Sequence, residues 1–439
     1  MPNICQKNSG DGKYLGRIYP PNAIYFNKIF KLYLELWELI SHISSMFIKR
    51  NIEQKLWELS GQFPVIGILG PRQVGKTTLV KHFIGKINKK SIYLDLEKPS
   101  DIEKLSEPEL YFSEQKNFCV VLDEVQKKQN IFPVIRSLVD EHRVPLRFII
   151  LGSAGPDLLR QSSETLAGRI AYLELSSFCY TEISEKFSMR KHHFYGGFPE
   201  SILAKSNAAS KRWLDNFIKT YIERDLPLLG LPASPDTARK LWEMLAWQNG
   251  SIINYSRIAK SIGLTNKTIS YYIQFLQQAF LIHHLPPYYL NIKKRLVKSP
   301  KILLRDTGIL HRLLRIEDFD QLSGTPMIGH SWEAYVIEQI KCLANSSFDF
   351  YFYRSHAGAE VDLVLTKGII PQMAIEIKYS AAPKLSKGLL SCIDDLNTTQ
   401  NYIITPTSDD HPIHSKVRVC GLQLFLEKHL KILIENTAI

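Results

Sequence analysis

The 439-residue chain has no Cys-x-x-Cys pair, and its six cysteines (Cys5, Cys119, Cys179, Cys342, Cys392 and Cys420) lie scattered. That spacing excludes a sequence-coded zinc ribbon or a thioredoxin-type centre, and reduced or incidental thiols are expected. His330, His356 and the pairs His192-His193 and His283-His284 also lack the spacing of a zinc helix, so they read as core or surface side chains. A long clean apolar run is missing too. The aromatic stretch 23–48 is broken by Lys28, Lys31, Glu35 and Glu38, and no small-residue cleavage site follows it. Those charges argue against an integral membrane span, while the scattered thiols suit a cytoplasmic protein. Residues 1–45 are expected to be either a non-native extension before a start at Met46, or an amphipathic helix lying on the neighbouring domain or a membrane surface. There is no internal repeat.

Acidic residues are scarce in one place. Residues 231–315 hold thirteen Lys and Arg against three Asp and Glu, most of the formal net charge of +12. A localised excess of this size is the footprint of a polyphosphate partner, although a solvated basic face is the simpler alternative. The remaining composition, 45% hydrophobic and 22% charged, is that of a globular chain with room for two or three domains.

What is present begins with Gly70-Pro71-Arg72-Gln73-Val74-Gly75-Lys76-Thr77-Thr78, preceded by the apolar run 65–69 and followed by a helical pattern. This is the strand–loop–helix context of a phosphate-binding loop. The glycines let backbone N–H groups turn inward on a phosphate chain, Lys76 reaches the β- and γ-phosphates, and the Thr77 hydroxyl takes a Mg²⁺ position. A second apolar run, 118–122, ends in Asp123-Glu124. Asp123 is expected to hold the metal and Glu124 to act as general base on the attacking water. A third strand, 147–151, leads to Ser153, placed to orient that water or touch the γ-phosphate.

These motifs, with Leu122-Asp123-Glu124-Val125-Gln126, Leu151-Gly152-Ser153-Ala154, Leu166-Ala167-Gly168-Arg169, Gly196-Gly197-Phe198-Pro199-Glu200 and Tyr221-Ile222-Glu223-Arg224-Asp225-Leu226, resemble a family of prokaryotic AAA-like ATP-binding proteins. The resemblance runs from about residue 46 to the C-terminus. It implies an ATPase module, a winged helix and a C-terminal domain of restriction-endonuclease-like type. The expected fold class is accordingly α/β: a P-loop NTPase parallel sheet at 46–178, a helical lid at 179–250, a winged helix at 251–315 and the restriction-endonuclease-like domain at 316–439. Arg169 is a candidate charge stabiliser, in cis or in trans from a second copy of a homo-oligomer.

Residues 254–285 carry a helix-turn-helix pattern, with Asn266, Lys267, Thr268 and Ser270 on its second helix. Lys293, Lys294, Arg295 and Lys298 in the following wing suit phosphate contacts with DNA. In the C-terminal third, an α-β-β-β-α-β order carries Asp362, then Glu376-x-Lys378. Asp362 and Glu376 are expected to bind Mg²⁺ together with the Ile377 carbonyl, Lys378 to polarise water or phosphate, and Glu333 to add a carboxylate. A plain Glu376–Lys378 salt bridge is the competing explanation. The function expected is a Mg²⁺-dependent ATPase that engages DNA, with an ATP-gated nuclease. The alternative is an ATP-driven switch or scaffold for protein partners, with a non-catalytic C-terminal domain.

Overall fold

Val65-Ile66-Gly67-Ile68-Leu69 forms β1 (Val65–Leu69), and each of its residues is buried, as a strand covered on both faces must be. The computed structural model describes residues 47–155, 166–289, 299–344, 347–355, 358–406 and 409–437. The segment 1–45, and with it the expectation placed there, lies outside these residues. So do Lys293, Lys294, Arg295 and Lys298.

β1 is central in a five-stranded, all-parallel sheet with β2 (Ser91–Asp95), β3 (Cys119–Asp123), β4 (Phe148–Gly152) and β5 (Ile170–Glu174), in the order β2-β3-β4-β1-β5. Helix α1 (Lys76–Ile84) follows β1, and α2 (Ile131–Glu141) follows β3. Parallel pairing puts the carboxyl ends of β1, β3 and β4 on one edge. Because β4 lies between β1 and β3, Ser153 emerges between the phosphate loop and the acidic pair. This is the P-loop NTPase sheet.

A helical stretch follows, including α3 (Met189–Tyr195), α4 (Asn207–Thr220) and α5 (Pro235–Trp247). Helix α4 does not end at Thr220. A π turn at Tyr221–Asp225 carries it on to Leu228. Pro227 has no N–H to give, and a wider turn just upstream absorbs the lost bond.

Two further helices, α6 (Tyr255–Ile262) and α7 (Asn266–Gln278), meet at Gly263, whose φ of +79° ends α6 in the left-handed conformation. They bury Ile258, Ile269, Ile273 and Leu276 and expose Arg257, Lys260, Lys267 and Ser270. A two-stranded antiparallel ribbon comes next, β6 (Ile282–Leu285) with β7 (Lys301–Leu304), and then α8 (Thr307–Leu313) and α9 (Met327–Ala344).

The C-terminal sheet contains β8 (Asp349–Arg354), β9 (Glu360–Lys367), β10 (Ile370–Ile377), β11 (Gln400–Thr405), β12 (Asp410–His414) and β13 (Val417–Gly421), with α10 (Lys387–Leu396) between β10 and β11. Its order is β12-β13-β11-β10-β9-β8. Helix α9 covers one face and α10 the other, while Leu285 and Leu303 of the ribbon enter the α9 core. The succession from α9 to β11 is the expected one. β12 and β13 were not foreseen, because β12 is mostly exposed and holds Pro412. Among the described residues no helix is long and apolar enough to cross a membrane.

The expectation of unpaired thiols needs correcting at two positions. Cys179 and Cys342 form a disulfide across 163 residues, with their Cα atoms 6.5 Å apart. Cys119, Cys392 and Cys420 are free and buried. Sequence spacing says nothing about a pair created by tertiary packing.

The same packing brings five polar side chains into a dry junction of α3, α8 and α9. Ser331 Oγ lies 2.8 Å from His193 Nε2 and 2.7 Å from His311 Nε2, and His192 Nδ1 lies 2.8 Å from the Tyr335 hydroxyl. Burial pushes His192 and His311 down to about 4, so these rings are neutral. Ser331→Ala leaves two buried ring nitrogens unpaired and is expected to cost about 1–3 kcal/mol. The check is a lower denaturant midpoint at unchanged slope.

Candidate functional site

Gly70 has φ +153°, and a Cβ there would lie 2.1 Å from the Leu175 carbonyl oxygen, so only glycine lets the loop pass beneath β5. Gly75, at φ +94°, opens α1 with its first N–H groups free for an anion. Lys76 Nζ donates to the Gly70 and Pro71 carbonyls at 2.9 and 2.8 Å, folded back along its own loop. Burial lowers its ammonium to about 8, against the pull of Glu124 and Asp123. A polyphosphate beside it would raise this value again.

Thr77 Oγ1 donates to Asp123 Oδ2 at 2.7 Å, and the Tyr93 hydroxyl donates to the same oxygen. This hydroxyl and carboxylate, adjacent at the mouth of the loop, are a hard-oxygen donor set that fits Mg²⁺. Glu124 is held in the left-handed region (φ 56°, ψ 47°). Its carboxylate accepts from Gln126 Nε2 and, at 3.3 Å, from Ser153 Oγ, while Gln126 also donates to Ser153 at 2.9 Å. Ser153, read from the sequence as a residue that orients the water or touches the γ-phosphate, is bonded here to Glu124 and Gln126, and neither contact was foreseen.

The cleft beside this line has a volume of about 650 Å³. Its floor is Arg72, Gln73, Gly75, Lys76, Thr77 and Thr78, and its far wall is Glu200, Trp213, Arg224 and Asp225 from the helical stretch. Arg72 donates to Asp225 at 2.6 Å and to Glu97 at 3.1 Å. Although burial opposes it, Asp225, Glu124 and Glu97 raise its basicity. Below the loop, buried Arg50 donates to the Val74 carbonyl at 2.9 Å and to Ser176 and Glu182. Sequence reasoning missed Arg50, Arg224 and Asp225, although Arg224 and Asp225 stand in the Glu-Arg-Asp-Leu string.

Arg169 does not enter this cleft. It precedes β5, whose Ile170 pairs with Val65 at the amino end of β1, a five-residue strand (roughly 16 Å) from the loop. There it makes a two-pronged pair with Asp140 at 2.6 and 2.9 Å. Its position rules out the cis role, and only a second copy of the chain leaves it one.

The structure also assembles the C-terminal residues. Asp362 Oδ2 accepts from the Ile377 N–H at 2.8 Å, and Glu376 Oε1 lies 2.5 Å from Lys378 Nζ. Two members were unforeseen. Lys301, at the start of β7, puts its Nζ 2.8 Å from Glu333, 2.6 Å from Glu360 and 3.7 Å from Asp362. Burial and the Asp362 charge push Glu333 up to about 8, against the Lys301 attraction, and the same two causes take Glu376 to about 7. Lys301 holds its proton more tightly than usual: burial opposes this, but Glu333, Asp362 and Glu360 prevail. Nothing in the primary structure links β7 to this cluster.

Among the described residues, the metal-type side chains whose ligand atoms converge within 4.8 Å are Asp410, Cys420 and His429, not these carboxylates. Asp410 is already taken by Arg418, Lys428 and His429, two fixed cations among them.

The nucleotide cleft falls in residues 62–184, which match the model of an AAA domain. Residues 186–320 and 328–425 match two domains of unknown function, DUF8612 and DUF4143. An uncharacterized protein of Mycobacterium tuberculosis is 37% identical over 378 residues, covering 86% of this chain and 84% of that protein. An uncharacterized protein of Haemophilus influenzae is 20% identical over 295 residues, covering 60% and 73%. Among solved structures, a Walker-type ATPase of Pyrococcus abyssi aligns with a TM-score of 0.41 at 16% identity, covering 62% of this chain and 97% of that one.

Proposed function

The chain belongs to the AAA-like ATP-binding family that includes the mycobacterial protein, and from that premise we propose that it is a Mg²⁺-dependent ATPase that engages DNA. The observation that carries the reading is the hydrogen-bonded line Thr77–Asp123 and Glu124–Gln126–Ser153 beside the phosphate loop. Thr77 and Asp123 would hold Mg²⁺, which would supply charge neutralisation for the bound phosphates. Lys76 leaves the Gly70 and Pro71 carbonyls for those phosphates. Glu124, aimed by Gln126 and Ser153, takes the proton of the attacking water. Arg224 and Arg72 are the further cations in the cleft, and Arg224 takes within the chain the role that Arg169 is too distant to fill. Lys76→Ala is expected to abolish binding of ATP, read by calorimetric titration.

DNA engagement is read from the exposed basic side of α6 and α7, from the ribbon that follows them in winged-helix order, and from the charge of residues 231–315. Exposed Lys267 and the sequence neighbours Lys293, Lys294 and Arg295 are the proposed phosphate contacts. Asn266 instead ties α7 to α6, its Nδ2 donating to Ser256 Oγ at 3.0 Å. Replacing Lys293, Lys294 and Arg295 together by Ala is expected to lower the slope of log affinity against log salt by about 2–3 units for any DNA sequence. Fluorescence anisotropy reads this directly. DNA affinity that is undetectable or indifferent to salt would replace this reading with a switch acting on protein partners.

The order α9-β8-β9-β10-α10-β11, with Asp362 and Glu376-x-Lys378 on adjacent strands, supports a restriction-endonuclease-like reading of the C-terminal domain. Cleavage gated by ATP is the finer form of that reading. Under it, Asp362→Ala and Lys378→Ala remove cleavage and spare ATP turnover.

A further inference from the structure

The C-terminal cluster holds four carboxylates, Glu333, Glu360, Asp362 and Glu376, and two lysines, Lys301 and Lys378. The lysines are not equivalent. Lys378 is half-exposed at the rim and touches one carboxylate. The Lys301 side chain is 5% exposed, and its ammonium stands among three. Metal–oxygen bonds of about 2.0–2.6 Å would need the space that this ammonium fills. With it in place, the carboxylate oxygens do not converge.

One acceptor is left over. Glu376 is 8% exposed, and its Oε2 is buried with no hydrogen-bond partner. A buried carboxylate oxygen without a donor is costly, so the cluster keeps one unmet acceptor even with both lysines present.

Lys301 does not belong to the C-terminal sheet. It opens β7 and is held there by pairing with β6 and by a bridge to Ile252. The ribbon is tied to the sheet edge by two backbone bonds, Tyr288 N–H to the Phe352 carbonyl at 2.7 Å and Phe352 N–H to the Pro286 carbonyl at 3.0 Å. The Phe352 ring also lies under the ammonium, 5.5 Å from it. Residues 279–281 join α7 to β6, so the helix pair and the ribbon that carries Lys301 are consecutive in the chain.

We propose that Lys301 is the resident cation of this cluster, and that it excludes a divalent metal for as long as the β6–β7 ribbon stays docked. The proposal rests on the reading of Asp362 and Glu376 as metal-type carboxylates. It adds that the site is closed in the free chain and is opened by withdrawal of one lysine.

The test is Mn²⁺ binding to the full chain without nucleotide, counted by electron paramagnetic resonance. Wild type, Lys301→Met, Asp362→Asn and the double variant are compared, so that any Mn²⁺ at the phosphate loop is common to all four. Lys301→Met is expected to gain one Mn²⁺ per chain, at least ~10-fold tighter than any wild-type binding at the cluster. Adding Asp362→Asn should remove that gain, and Asp362→Asn alone should change nothing. Should the Met variant not fold, Lys301→Gln, which keeps a donor and drops the charge, carries the same comparison. Mn²⁺ binding by wild type that Asp362→Asn abolishes would overturn the exclusion by Lys301 yet leave the metal reading standing. A folded Lys301 variant that gains no Mn²⁺ would overturn both.

Discussion

Glu124→Gln is expected to lower ATP turnover about 100- to 10,000-fold while leaving ATP affinity within a few-fold of wild type. Gln keeps the size of the side chain, so the left-handed backbone at Glu124 and the loop beside it are undisturbed. What is lost is the base: an amide cannot accept a proton from water at neutral pH. The flanking residues sharpen the test. Gln126 and Ser153 touch the Glu124 carboxylate and each other, so their loss should affect turnover through the aim of Glu124. Gln126→Ala is therefore expected to reduce turnover by less than Glu124→Gln does. Wild-type turnover by Glu124→Gln would remove the base assignment. Phosphate release and a separate binding titration distinguish the two parameters.

Glu338→Ala is expected to cost about 3–5 kcal/mol of stability, well above the loss expected at Ser331. Glu338 is buried on α9, and its two oxygens accept from His283 Nε2 at 2.7 Å and from Arg305 at 3.2–3.3 Å. Arg305 also pairs with Glu174 at the end of β5. One ion network thus joins the ATPase sheet, the ribbon region and the C-terminal helix. Alanine would leave the Arg305 guanidinium with Glu174 alone in a nearly dry site. Burial by itself would raise the Glu338 carboxyl, but Arg305 and His283 outweigh it and bring it down to about 2. The folded value lies below the ordinary 4.5, so its contribution is full above about pH 4.5 and is lost as pH falls toward 2. The variant should be less stable than wild type by a constant amount above about pH 5, with the gap closing below about pH 4. Urea denaturation across pH measures both features. An equal cost at every pH would contradict the ion-pair origin.

The nucleotide site was legible where its parts are contiguous in sequence. The loop from Gly70 to Thr78 fixes its own backbone through Gly70 and Gly75, so composition and spacing suffice there. Asp123 and Glu124 were legible because a short apolar run of buried-strand type announces its own carboxyl end. Legibility failed where partners are distant in sequence and meet only through the fold. Arg72 finds Asp225 153 residues away, and Lys301 meets Glu333 and Glu360 from a ribbon of its own. Cys179 and Cys342 are the same case. Arg169 misled for the converse reason: a motif arginine was assigned to the phosphates without knowing which end of β5 it occupies. In the C-terminal sheet, the apolar strands β9 to β11 were legible, whereas edge strand β12 lacks the buried residues that mark a strand.

Turnover of ATP with Mg²⁺ in the cleft between the phosphate loop and the helical wall is the activity on which the proposed function rests. Its most direct test is steady-state release of inorganic phosphate from ATP by the full chain, with Mg²⁺ present and with Mg²⁺ removed by chelation. Release that saturates with ATP and disappears on chelation is the predicted result. No release with Mg²⁺ at any ATP concentration, or release indifferent to chelation, would contradict the account.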